Sequence, residues 1–335
     1  MEMGIISWMT NCVANAIACF RASNTYNGLT NLFLEIDQYT SEGISVASKK
    51  RIILYVILSC IIIAVNVVSS FYLMFFTTSM DIILAPIDSD HHNAIYLKAT
   101  VFFIQIYMTA AWLLPVFFML ILCSVLMDLF SRFNKCFQAK IMCNGYSLPP
   151  DFEKLRQKHL TLCRLVTYAD SFLCIFNGVT LLSCSIILTA YTYNIIWYDA
   201  IRDDVTVLLV TLFWTFGGAM QILLISIGGG MLNTKARESV NYLYDVSADT
   251  IPQDKQIHIT LFLSKLNGPP IGISALGMFV IDKPVILTII GLLATYFVII
   301  VQFSPFYTGG DESGEKDCDC TELIMNATLN CYSTL

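Results

Sequence analysis

Two groups of residues in this chain have types and spacings that could do chemistry. The first is a stripe of Thr288, Gly291, Thr295, Val298 and Gln302, which recur every three or four residues through a run of Ile, Leu and Val and so share one face of a helix. Such a face can line a polar path. It can also pack against another helix, because Gly and Thr allow close approach in membranes. The second group sits in three apolar runs: Gln105, Tyr107, Thr109 and Trp112 in one, Tyr191 and Tyr193 in the next, and Thr211, Trp214 and Gln221 in a third. Aromatic faces with a few hydrogen-bonding tips suit a small neutral organic ligand, although Trp and Tyr also gather where hydrocarbon meets headgroups.

Other chemistries find no support. The sequence has no nucleophile elbow, catalytic carboxylate pair, phosphate loop or basic nucleic-acid stripe, so it reads neither as an enzyme nor as a partner of nucleic acid. His91-His92 lies in a polar loop, and adjacent histidines point apart on a regular element, so no metal site and no cofactor are expected. Gly217-Gly218 and Gly228-Gly229-Gly230 read as places of close helix packing. Nine of the 12 Cys are scattered through apolar runs and basic loops, where they act as small apolar residues, while Cys318, Cys320 and Cys331 fall near the C-terminus with the glycosylation triplet Asn326-Ala327-Thr328.

The elements that must position these groups are membrane helices. The chain has 335 residues, of which 56% are hydrophobic and 13% charged, and its mean hydropathy is +0.67; soluble domains carry about a quarter charged residues. Uncharged runs at Ile52–Met80, Ala99–Met127, Ser171–Tyr198, Val205–Leu232 and Val285–Gly310 each exceed the ~20 residues needed to cross hydrocarbon. Met3–Phe20 is a weaker sixth. It does not read as a signal peptide, which wants a base before the apolar run, since Glu2 precedes it and its nearby base, Arg21, follows it.

Loop charge sets the orientation. Sixteen of the 19 Lys and Arg residues fall before the first strong run, between the second and third, or between the fourth and fifth, which makes those segments cytoplasmic and the C-terminus extracellular. A G-protein-coupled receptor has the opposite orientation, and neither Asp-Arg-Tyr nor Asn-Pro-x-x-Tyr is present. The strong runs contain no ionised residue, and no internal repeat is evident, which disfavours an ion-coupled transporter. Gly268-Pro269-Pro270 and Lys283-Pro284 should break the last helix in two, with a first piece over about Ile271–Ile281 and a second entering the membrane.

The last run reads Thr295-Tyr296, five hydrophobic residues, then Gln302-Phe303, and it comes after Gly277-Met278-Phe279-Val280-Ile281-Asp282. This pattern resembles the signature of the insect gustatory receptors, with weaker likeness in Leu126–Phe137, Lys154–Leu165 and Leu29–Gln38. The resemblance implies an all-α polytopic membrane bundle of the insect chemoreceptor (gustatory and odorant receptor) fold. It implies a homo- or heterotetramer with other gustatory receptors, whose last helices line a pore on a four-fold axis. Thr288, Gly291, Thr295, Val298, Gln302 and Phe303 then become pore and gate residues. The family also has a further span and a cytoplasmic N-terminus ahead of Met3–Phe20, and it stops soon after the Gln-Phe pair, as if this were an incomplete or alternatively spliced gene product.

On this reading residues 1–50 hold the second span and a cytoplasmic loop, 51–265 the ligand-binding helices with their cytoplasmic loops, 266–307 a broken last helix forming anchor and pore, and 308–335 an extracellular tail. The expected function is a tastant-gated, weakly cation-selective channel in the plasma membrane of chemosensory neurons, in contact with membrane lipid. Its ligand would be a small neutral compound, bitter rather than sugar. A small-solute transporter and a receptor acting through cytoplasmic partners are the alternatives. An epitope tag after Phe303 should label on intact cells and one near Asn144 only after permeabilisation; the reverse pattern would overturn the orientation.

Overall fold

The computed structural model describes residues 2–24, 30, 32–34, 36–37, 45–76, 94–246, 251 and 253–302. In chain order the elements are α1 (Glu2–Asn24), α2 (Val46–Phe76), α3 (Ala94–Cys143), α4 (Phe152–Trp197), the short α5 (Asp199–Asp203), α6 (Val205–Arg237), the short α7 (Ser239–Tyr244), α8 (Gln253–Asn267), strands β1 (Ser274–Ala275) and β2 (Phe279–Val280), and α9 (Lys283–Gln302). Five of the described helices are long and apolar enough to cross a bilayer. Each overlaps one of the five uncharged runs. Packing divides the chain after Phe297, so the last described turns of α9, from Val298, belong to a second unit.

Two helices are much longer than a membrane requires. α3 has 50 residues and α4 has 46, or about 75 and 69 Å at 1.5 Å per residue, against a hydrocarbon core of about 30 Å. The surplus carries the bases. α3 is the central helix, packed on α1, α2, α4 and α6, and this suits a run apolar on every side.

At the base-rich end the helices are joined by polar contacts and an aromatic core. Ser45 N donates to Asp128 (3.2 Å), Asn134 Nδ2 to Lys235 O (2.9 Å) and Glu238 (3.1 Å), and Arg237 to Gly268 O (2.6 Å). His159 is buried and its Nε2 lies 3.0 Å from Ala236 O. A carbonyl only accepts, so Nε2 carries the proton, which leaves Nδ1 to face the Cys163 thiol at 3.5 Å. Around it Phe130, Phe133, Phe137, Phe152 and Phe262 meet at ring separations of 5.1–6.4 Å. The three basic segments therefore gather at one end of the molecule, as the loop charges require.

Local sequence explains the turns there. α3 ends in a Schellman motif: Tyr146 N donates to Ile141 O (3.0 Å) and Gly145 N to Met142 O (3.1 Å), with Gly145 at φ 61°, where an absent β-carbon removes the steric cost. Lys140 then reaches Asp151, and that hydrogen bond holds the Asp151 carboxyl below its ordinary range.

The region before α9 departs from expectation. Residues 271–281, expected as a helix, form an antiparallel hairpin in which Ser274 pairs with Val280 and Ala275 with Phe279; Ile281 N also donates to Ile273 O (2.9 Å). Leu276 (φ 53°) and Gly277 (φ 70°) are both left-handed, and Met278 N donates to Ala275 O (3.0 Å), which makes a primed turn suited to strand twist. Flanking Ile273, Val280 and Ile281 favour extended backbone. Thus 266–307 comprises, as far as it is described, a helix end, a hairpin and a helix. Lys283-Pro284 likewise starts α9 rather than interrupting it. First-turn amides have no acceptor within the helix, and Asp282 caps the end by accepting from Val285 N (3.0 Å).

Phe137 is fully buried at the centre of the base-rich end. Its replacement by Ala should destabilise the fold by about 3–5 kcal/mol, read as a lowered melting temperature of the detergent-solubilised protein.

Candidate ligand site and polar stripe

The uncharged spans bring together a small polar cluster. Asn66, buried in α2, donates from Nδ2 to Thr109 Oγ1 of α3 (2.8 Å) and accepts at Oδ1 from Trp214 Nε1 of α6 (2.9 Å). The Trp214 ring in turn stacks on Tyr191 of α4, 6.1 Å between centroids and 28° between planes. One amide therefore ties three helices, and an aromatic pair adds the fourth. In hydrocarbon a primary amide without partners would be costly; here both its ends are used.

Next to this cluster lies a second group. Cys184 of α4 donates to Gln221 Oε1 of α6 (3.4 Å) and lies beside Trp112 and Cys12. A β-carbon at Gly217 would come 3.6 Å from Trp112 Cη2, an ordinary van der Waals contact, so the indole lies against α6 there. Gln221 Nε2 is a buried donor without a partner, and Asn11 and Asn15 of α1 are buried with all four side-chain polar atoms unpartnered. Each unmet group costs about 1–3 kcal/mol. Together they are donors and acceptors that a guest with polar atoms can satisfy.

Of the residues singled out in the sequence, Thr109, Trp112, Tyr191, Trp214 and Gln221 belong to these groups. Gln105 lies at their margin, its Nε2 3.5 Å from Ser70 Oγ. Thr211 is buried, but its hydroxyl donates to Val207 O in its own helix (2.8 Å). Tyr107 and Tyr193 are exposed; Tyr193 pairs with Tyr198, an arrangement suited to an interfacial belt. Asn66 was missed in the sequence. The available signal was its being the sole carboxamide in Ile52–Met80, since a strongly polar residue inside a span is a functional candidate by default.

The stripe on α9 has a clear geometry. Ile286, Ile289 and Leu293 pack against the core cluster, whereas Thr288, Gly291 and Thr295 are exposed. At 100° per residue these two sets lie on opposite faces. The hydroxyls of Thr288 and Thr295 donate to Pro284 O (3.1 Å) and Gly291 O (2.9 Å) of their own helix. Val298 and Gln302 continue the line along α9, and Tyr296 is exposed beside it. Phe303, Cys318, Cys320, Asn326, Cys331 and the rest of 308–335 lie outside the described residues, as do His91 and His92.

A family model described as 7tm Chemosensory receptor matches residues 5–306. The chain belongs to that family. It is therefore a multi-pass membrane receptor rather than an enzyme. The fold is also that of the insect olfactory receptor OR5 from Machilis hrabei, with TM-score 0.64 at 11% identity over 90% of this chain and 80% of that one. The same receptor in complex with eugenol matches with TM-score 0.61 at 13% identity, over 90% of this chain and 80% of that one. No curated protein matches in sequence.

A double-mutant cycle tests the cluster of this receptor. Asn66→Ala and Trp214→Phe each remove the bond between α2 and α6, so their losses in thermal stability should be non-additive by about 0.6–1.7 kcal/mol, the range for hydrogen bonds between membrane helices; additive losses would mean that the bond contributes nothing.

Proposed function

We propose that this receptor is a subunit of a tetrameric taste channel in the plasma membrane of chemosensory neurons, opened by a small neutral tastant and weakly selective for cations. The observation that carries the reading is the α9 stripe, a line of Thr, Gly, Val and Gln whose first three members lie opposite their helix's packed face. A polar line turned away from its own bundle suits a water path shared with other subunits. It offers no carbonyl filter and no charged ring, so it would discriminate only weakly among cations.

The Asn66–Thr109–Trp214 cluster with Tyr191 is the proposed ligand site. A flat aromatic stack beside an amide favours a compact aromatic or bitter compound over a sugar, and the solved relative was captured with eugenol, a small phenol. Differential affinity of such a ligand for the open arrangement would move the pore helices.

Single-channel recording with eugenol, caffeine and sucrose as probes tests the proposal. Discrete probe-dependent currents are expected. Saturable uptake without unitary steps would instead indicate a transporter, and activity requiring added cytoplasmic proteins would indicate a signalling receptor. Gln302→Ala shortens a stripe residue and should produce leak current or a shifted response, whereas Trp214→Ala should weaken the response with unitary conductance unchanged. Wild-type gating and conductance in Gln302→Ala, at normal surface expression, would remove the pore assignment.

A further inference from the structure

The hairpin between α8 and α9 is held with unusual thoroughness. Asp170 of α4 accepts from Ser274 N and from Ser274 Oγ, the latter at 2.8 and 3.0 Å to its two oxygens. Asn177 Nδ2 donates to Ser274 O (3.4 Å), and Leu276 N donates to Cys174 O (2.8 Å). Every polar group of Ser274 is thus engaged by one helix. The turn itself is costly, since a left-handed Leu loses about 1–2 kcal/mol, and Leu276 occupies that conformation. Its side chain is seated over Gly178, where a β-carbon would collide with Leu276 Cγ and lie 2.8 Å from Leu276 N. A strained turn, a glycine seat and a carboxylate clamp coincide at one point.

The other flank of the linker rests on α6. Asn233 Nδ2 donates to Ile271 O (3.0 Å). A β-carbon at Gly229 would fall 2.9 Å from Ile281 Cβ, and one at Gly230 would fall 2.9 Å from Ile286 Cδ1, so the base of α9 sits in a notch of α6. α4 and α6 are also the helices that carry Tyr191 and Trp214, the stacked pair of the ligand site. A shift of α6 against α4 at that pair would meet the base of α9 at two attachments, the Ser274 clamp on α4 and the glycine notch on α6.

We propose that this hairpin is the lever coupling the ligand site to the pore helix, and that Asp170 is its positioning residue. The inference rests on the channel reading. With Ser274 fixed to α4, displacement of the notch turns α9 about Asp282–Lys283; with the clamp loosened, the same displacement is absorbed by the hairpin. Asp170 touches neither ligand nor ion. Its loss should therefore lower the ligand-evoked open probability and leave unitary conductance alone.

Single-channel recording of Asp170→Asn, Ser274→Ala and Gly178→Ala with eugenol as activating probe, at matched surface expression, tests this. Asp170→Asn and Gly178→Ala should each reduce maximal open probability about threefold or more, a coupling change of the size seen for residues between sites. Asp170→Glu, which keeps the carboxylate, should recover part of the loss. Ser274→Ala keeps the backbone bond to Asp170, should show a smaller loss, and carries the test if the other variants fail to reach the surface. Hydrogen exchange at the Ser274 and Leu276 amides should quicken in Asp170→Asn. Unaltered open probability in all three variants, or a change in unitary conductance, would overturn the lever. A wild-type chain without eugenol-evoked unitary current would count against the channel reading itself.

Discussion

Hydrocarbon contains no water to satisfy a polar group, and the rest of this structure depends on that constraint. Backbone amides inside the bilayer must bond within their own helix, so the described spans are continuous helices and the one described sheet is a hairpin lying against the helix that starts its apolar run at Ser171. Side chains obey the same rule. Thr100, Thr189, Thr211, Thr215, Thr288 and Thr295 return their hydroxyls to carbonyls four residues back. Asn66 cannot do this for a whole amide, and so it must find partners on other helices.

That necessity gives the few strongly polar residues of the spans influence beyond their number. Asn66 joins α2, α3 and α6, and the unpartnered groups of Gln221, Asn11 and Asn15 leave the interior short of hydrogen bonds. A fully apolar bundle would be more stable and less receptive. The base-rich end also keeps buried polar atoms without a partner, among them Asn134 Oδ1, Arg237 Nε and Ser239 Oγ, but there the aromatic core around Phe137 and His159 is dense and Arg, Lys and Glu side chains ring it. α3 and α4 run through both ends and join them.

The candidate site was partly legible in the sequence. Aromatic and hydroxyl residues could be assigned to the outer halves of spans, and five of nine belong to the polar groups, but period alone did not separate Trp214, which turns inward to Asn66, from Tyr107, which is exposed. Both are amphipathic rings in apolar runs, and either orientation satisfies a membrane helix. The hairpin was misread for a related reason. Two prolines correctly announced a break, but the conformation beyond a break depends on whether the chain finds a partner, and here Ser274 found Asp170, 104 positions away.

Sequence alone determined the number and place of the strong spans, the loops in which the bases gather, the stripe along α9 and the family signature in the last span. These properties are sums or periods over neighbouring residues, and the transfer of ~20 apolar residues into hydrocarbon is decided before any helix meets another. Only the tertiary structure decided which amide joins which helices, which aromatic faces turn inward, and that a strained Leu276 would rest on Gly178. Those outcomes depend on how helices cross, where side chains far apart in the chain must meet within a few tenths of an ångström.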